Sequence, residues 1–89
     1  MCRSIQTLYN VQPAASREEA RAAALQYVRK ISGYTKPSQA NEQAFNDAVD
    51  AVTRVSEELL SQLTTNAPPR DREIEAEKAR ARAAARYAA

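Results

Sequence analysis

Apolar side chains recur along this chain at helical spacing in two places. Over residues 42–63, Phe45, Val49, Val52, Leu59 and Leu63 follow in steps of four, three, seven and four, with Ala48, Val55 and Leu60 alongside and Ser56 interrupting. Such a ladder keeps one face of a helix apolar for about five turns. The acidic residues Glu42, Asp47, Asp50, Glu57 and Glu58 mostly avoid that face and are expected in water. Over residues 16–32, Ala20, Ala24, Tyr27 or Val28, and Ile31 share a second face, which Leu25 widens.

Boundary residues sharpen both helices. Ser16-Arg17-Glu18-Glu19 has the form of a capping box, in which the serine oxygen takes an N–H of the first turn and the glutamate reaches back. Arg29 and Lys30 sit in the last turn, where positive charge suits the carbonyl end of the dipole. Gly33, the only glycine, stands just past it, where a left-handed residue is needed. Pro37 turns Lys36 away from helical angles, and Ser38 or Asn41 is placed to cap the second helix. The run Thr64-Thr65-Asn66-Ala67-Pro68-Pro69 closes that helix with a stiff elbow. A third helix is predicted from Pro69 or Arg70 to near Tyr87. It is rich in alanine, acidic early and basic late, which matches its dipole. Only Ile74 and Tyr87 are large and apolar there, so its contact with a core is thin. At the other end Ile5, Leu8 and Val11 recur every three residues until Pro13, which reads as an extended arm anchored by Ile5, Leu8 and Tyr9.

The fold class that follows is all-α: a helical hairpin of antiparallel helices at about 16–32 and 39–65, a third C-terminal helix, and an extended N-terminal arm. One domain holds them, with the arm at 1–15, the hairpin core at 16–66, and the Pro-Pro elbow plus basic, alanine-rich helix at 67–89. Arm and third helix are expected to cover the open face of the hairpin.

Composition limits the chemistry. Alanine supplies 19 of the 39 apolar residues, so the core is modest, and small domains are marginal. There is no histidine and no tryptophan, and Cys2 is the only cysteine. That excludes histidine-based catalysis, a disulfide within the chain and a Cys/His metal cage. One glycine is too few for a glycine-rich phosphate loop. The carboxylates fall on faces expected to be exposed. No enzymatic activity, cofactor, metal or small-molecule substrate is therefore expected. A lone cysteine fits a reducing compartment. The N-terminus lacks a signal-peptide apolar region, and no run approaches the ~20 apolar residues of a membrane span. A cytoplasmic protein without membrane contact is the expectation.

Charge is uneven: residues 1–40 carry +4, residues 41–66 carry −4 and residues 67–89 carry +2. Such a layout arises when segments attract one another, and it also leaves two basic ends for an anionic partner. Four groups of residues are candidates for binding an anion or a partner. Around the first elbow, Arg29, Lys30, Tyr34, Lys36 and Ser38 gather cations, an aromatic ring and hydroxyls beside a helix start. Arg3 lies in the arm, within reach of a phosphate. Arg70 and Arg72 follow the prolines and suit bidentate pairing with a carboxylate or phosphate. In the last helix Lys78, Arg82 and Arg86 repeat every four residues and line one face. Each group also has a purely structural use as a helix cap, an elbow or a solvated face.

Several stretches match a pattern together: Met1-Cys2-Arg3-Ser4-Ile5, Arg21 through Lys30, Ser32-Gly33-Tyr34-Thr35-Lys36-Pro37-Ser38, Asn41 with Ala44-Phe45, and Ala67-Pro68-Pro69-Arg70-Asp71-Arg72-Glu73. They resemble a small bacterial family catalogued as a domain of unknown function, number 2277, over nearly the whole chain. The resemblance implies a stand-alone small protein and no particular activity. The function expected from the residues is that of a helical interaction protein, an accessory subunit or adaptor that docks on a larger assembly or on a second copy of itself. The alternative is RNA or DNA binding, in a ribosome-associated role, through the basic arm and C-terminal helix.

Overall fold

The computed structural model describes residues 5–88. In chain order the elements are β1 (Val11–Gln12), α1 (Arg17–Ser32), a single 3-10 turn (Gln39–Asn41), α2 (Glu42–Gln62), β2 (Arg70–Asp71) and α3 (Arg72–Ala88). The chain is mostly α-helical, and among the described residues the one sheet is the short parallel pair of β1 and β2.

α1 begins and ends on the predicted signals. The Ser16 hydroxyl accepts a hydrogen bond from the Glu19 N–H at 3.3 Å, and the Ser16 N–H donates to Glu19 Oε1 at 3.0 Å. At the other end Gly33 takes φ 79°, and its N–H donates to the Arg29 carbonyl at 2.9 Å. Nothing crowds the position of a Cβ at Gly33, so a substitution there is strained by its backbone torsion alone. Gly33→Ala is expected to cost about 1 kcal/mol, and Ser16→Ala about 1 kcal/mol. Both are read from urea-melt midpoints with unchanged slope.

The core lies between α1 and α2. Ala24 and Val28 meet Phe45 and Val49, with Leu25, Ala48 and Val52 packed around them. Ala20 is buried as well, and alanines on this line let the helices approach closely. Thr53 is 2% exposed and donates from Oγ1 to the Val49 carbonyl at 2.7 Å, so its hydroxyl is satisfied within its own helix. Arg21 and Asp50 tie the hairpin at 2.6 Å, and Arg17 and Glu57 at 3.6 Å.

Three expectations need correction. First, the α2 ladder does not stay buried. Its buried line runs Phe45, Val49, Thr53, while Val55, Leu59 and Leu63 are exposed. The Arg17–Glu57 pair sets the first residue of α1 level with Glu57, so Leu59 and Leu63 lie past the end of their partner helix. In α1 the buried line Ala20, Ala24, Val28 advances in fours towards Ser32. Ile31 and Tyr27 fall beside it and are exposed. Second, helix boundaries move. α2 is preceded by the 3-10 turn and ends at Gln62, and α3 starts at Arg72. There Asp71 Oδ1 accepts from the N–H groups of Glu73 at 2.9 Å and Ile74 at 3.1 Å, a capping arrangement. Third, α3 does not cover the hairpin. It follows β2 directly in the chain and makes no substantial contact with α1 or α2. The radius of gyration is 16.3 Å, against about 12 Å for a compact chain of this length. Ile74 and Tyr87, the two large apolar residues of α3, are both exposed. In the arm, Leu8 and Tyr9 are half-buried, whereas Ile5 is exposed.

Candidate functional site

α3 is held where the arm and the second elbow meet. Asn10 sits in the left-handed region at φ 55°, a conformation that asparagine tolerates better than most residues. From there its Nδ2 donates to the carbonyls of Ala67 at 3.2 Å and Pro68 at 3.3 Å, and its own carbonyl accepts from the Arg70 N–H at 2.9 Å. The chain then continues as β1 and pairs in parallel, Val11 beside Arg70 and Gln12 beside Asp71. The Gln12–Pro13 peptide is cis.

One residue later the guanidinium of Arg72 returns to α1. Its Nη1 donates to both Glu19 oxygens, at 3.1 and 2.9 Å, and both side chains are about seven-tenths covered. Glu19 therefore has two tasks: it closes the α1 cap and it anchors the start of α3. The Ser16 N–H bonded to it is the first cause holding its pKa below the ordinary glutamate value of 4.5, and the Arg72 side chain is the second. Arg72 Nη2 is buried with no acceptor among the described residues. Beside this anchor lies a groove of about 350 Å³ between the arm and α3, lined by Gln6, Thr7, Val11, Arg70, Arg72, Glu75, Ala76 and Ala79. Val11, Ala76 and Ala79 are its apolar lining, and Arg70 and Arg72 line it as well.

The residues singled out from the sequence do not form one centre. Arg70 and Arg72 come together at the groove. The first elbow uses most of its groups internally. Arg29 Nε donates to the Thr35 carbonyl at 3.0 Å, and Asn41 Nδ2 donates to Ser38 Oγ at 2.8 Å and to the Tyr34 hydroxyl at 3.4 Å. The Ser38 side chain makes no helix-capping hydrogen bond, and the Asn41 N–H is taken by the Ser38 carbonyl at 2.9 Å. An anion at this elbow would have to compete with bonds already made. Lys30 and Lys36 are exposed. Arg82 and Arg86 are exposed on α3, about one and two turns beyond Ala79 at the end of the groove. Arg3 lies outside the described residues.

Sequence reasoning missed Asn10, Glu19 as an anchor, and the groove. Asn10 carried a signal, since asparagine marks turns and left-handed positions. Glu19 carried a misleading one, because the capping box already gave it a role. Among the described residues no group of His, Cys, Asp and Glu could hold a metal ion, and no helix is long and apolar enough to cross a membrane.

A family model described as an uncharacterized conserved protein matches residues 1–78. No curated protein and no solved structure matches the chain.

Proposed function

This chain belongs to the DUF2277 family of uncharacterised conserved proteins, and we propose that it works as a small, non-enzymatic interaction protein whose hairpin carries α3 as a docking element. The observation that carries this reading is the placement of α3. Its 17 residues begin at the Arg72 anchor and make no substantial contact with α1 or α2, and both large apolar side chains are exposed. Helices in proteins take most of their stability from packing an apolar face against something. Three contacts fix its start: the Arg72–Glu19 ion pair at its first residue, and just before it the parallel strand pair at residues 70–71 and the asparagine clamp on Ala67 and Pro68.

The alternative is binding of RNA or DNA along the basic half of α3. It is supported by Arg80, Arg82 and Arg86, none of which has an ion-pair partner among the described residues. The acidic first half of the same helix favours a protein surface over a polyanion.

Site-specific photo-crosslinkers in the full chain, produced in its native cell, separate the two. A crosslinker at Ala83 or Arg82 is expected to give a discrete protein adduct, and one at Lys36 is not. Absence of any protein adduct from every α3 position overturns the reading. Adducts that vanish with nuclease and weaken steeply with salt select the nucleic-acid alternative.

A further inference from the structure

We propose that the occupant of α3 is the α3 of a second copy, paired antiparallel, with each Tyr87 seated in the other copy's groove between arm and helix. This deepens the docking reading above and rests on it.

Charge order is the first argument. The acidic residues of this segment lie at 71–77, and apart from Arg72, which Glu19 already holds, its basic ones lie at 78–86. A parallel pair would set like charge on like. An antiparallel pair sets each acidic half on the other's basic half, which steers both the encounter and the register. With the two-fold axis near Ala79, Glu75 of each copy faces Arg82 of the other. Ala76, Ala79 and Ala83 fall on the shared face, so the two backbones can come close.

Tyr87 and the groove supply the second argument, independent of charge. Tyr87 is 89% exposed, more than any other large apolar residue described. Eleven residues separate it from Ala76, close to three full turns, so both lie on the same face. The groove opens at the other end of that face, about 22 Å away along the helix at 1.5 Å per residue. The antiparallel register with its axis near Ala79 carries Tyr87 of one copy to the level of residues 70–71 of the other, at the Arg70 end of the groove. Val11, which lies beside Arg70 in the strand pair, offers the ring an apolar contact, and the Arg70 guanidinium suits its face. The same contact occurs twice about the axis, so the assembly closes as a dimer and does not grow into a fibre.

The interface is short, so a dimer in the micromolar range is expected. Sedimentation velocity on the full chain at low salt, from about 1 μM to about 1 mM, reads it directly. The expected result is a concentration-dependent shift to twice the chain mass, weakened by added salt. Y87A is expected to weaken dimerisation about tenfold or more. R82E alone and E75R alone are each expected to be weaker dimers than the wild type, and their equimolar mixture to recover the dimer as a heterodimer. All three positions are exposed or half-exposed on α3, and unchanged hairpin melting by circular dichroism verifies that the variants fold. A chain that stays monomeric up to about 1 mM overturns the proposal. So does a dimer indifferent to Y87A and to both charge variants. In either case an α3 crosslink to a different protein in the cell would leave the docking reading standing, so the two failures are distinguishable.

Discussion

Phe45→Ala is expected to leave the hairpin largely unfolded at 37 °C. Phe45 is the only phenylalanine, 8% exposed, and it joins Val49 of its own helix to Ala24 and Val28 of the other. Truncating a buried phenylalanine costs about 3–5 kcal/mol through lost transfer energy and an unfilled cavity. A chain of this size has about 4–13 kcal/mol in total, and this one sits low in that range because its buried line is short and alanine-rich. Urea unfolding followed by far-ultraviolet circular dichroism measures the loss. Phe45→Leu should lose less than about 1.5 kcal/mol. Leu59→Ala gives the contrast: it occupies the same apolar ladder in the sequence, yet it is 54% exposed, and a change within about 0.5 kcal/mol is expected. A Leu59→Ala loss as large as that of Phe45→Ala would mean that the far half of α2 is packed in solution.

Arg72→Met is the second large effect, and it is local. Methionine keeps much of the length and removes both hydrogen bonds to Glu19. The hairpin core does not contain Arg72, so the main unfolding transition should barely move. The amides around Val11, Gln12 and Arg70 should exchange several-fold faster, and trypsin should cut first between residues 64 and 80. Glu19→Gln should give a milder version, since an amide oxygen can still accept from the Ser16 N–H. Acid should reproduce the effect. Glu19 has a lowered pKa in the folded chain, so the charged carboxylate is favoured by folding. Its contribution is complete above the ordinary value of 4.5 and disappears as pH falls through the lowered folded value. Exchange protection of the arm and α3 should therefore be flat above the ordinary glutamate value of 4.5 and fall as pH drops below it. The Arg72→Met chain should show a smaller acid response, because the Ser16 N–H remains and the Arg72 bonds are gone. Equal acid responses in the two chains would locate the titration elsewhere.

How much of this was legible in the sequence depends on the range of the interaction. α1 was readable almost to the residue, because Ser16, Glu19 and Gly33 act on the backbone within four positions of themselves. The existence of α2 was equally plain from its period. Which of its apolar residues would be buried was not, since that depends on where α1 begins opposite it, and a ladder on one helix carries no record of its partner's length. Thr53 shows the same limit from the other side. Its hydroxyl argues for exposure until the i−4 carbonyl is counted as its acceptor. Arg70 and Arg72 were singled out as a pair able to grip a carboxylate, and Arg72 does grip one, but it belongs to the chain itself. No pattern in residues 10–12 or 70–71 announces a parallel pair. Two residues are too few to alternate, and their partners are almost sixty positions apart.

That distance bears on the order in which the molecule assembles. The α1–α2 contacts close over a short elbow, whereas the Asn10 bonds to Ala67 and Pro68 close a separation of 57 and 58 residues. Chain-closure entropy grows with the logarithm of length, and among the described residues two residue pairs, one asparagine and the Arg72–Glu19 pair offset it. The helical hairpin should form early, and the clasp that joins the two termini should form last and be the first to open. α3 is then aimed only once the rest of the chain has folded, so the docking helix becomes correctly directed late, and it loses its direction before the hairpin itself is lost.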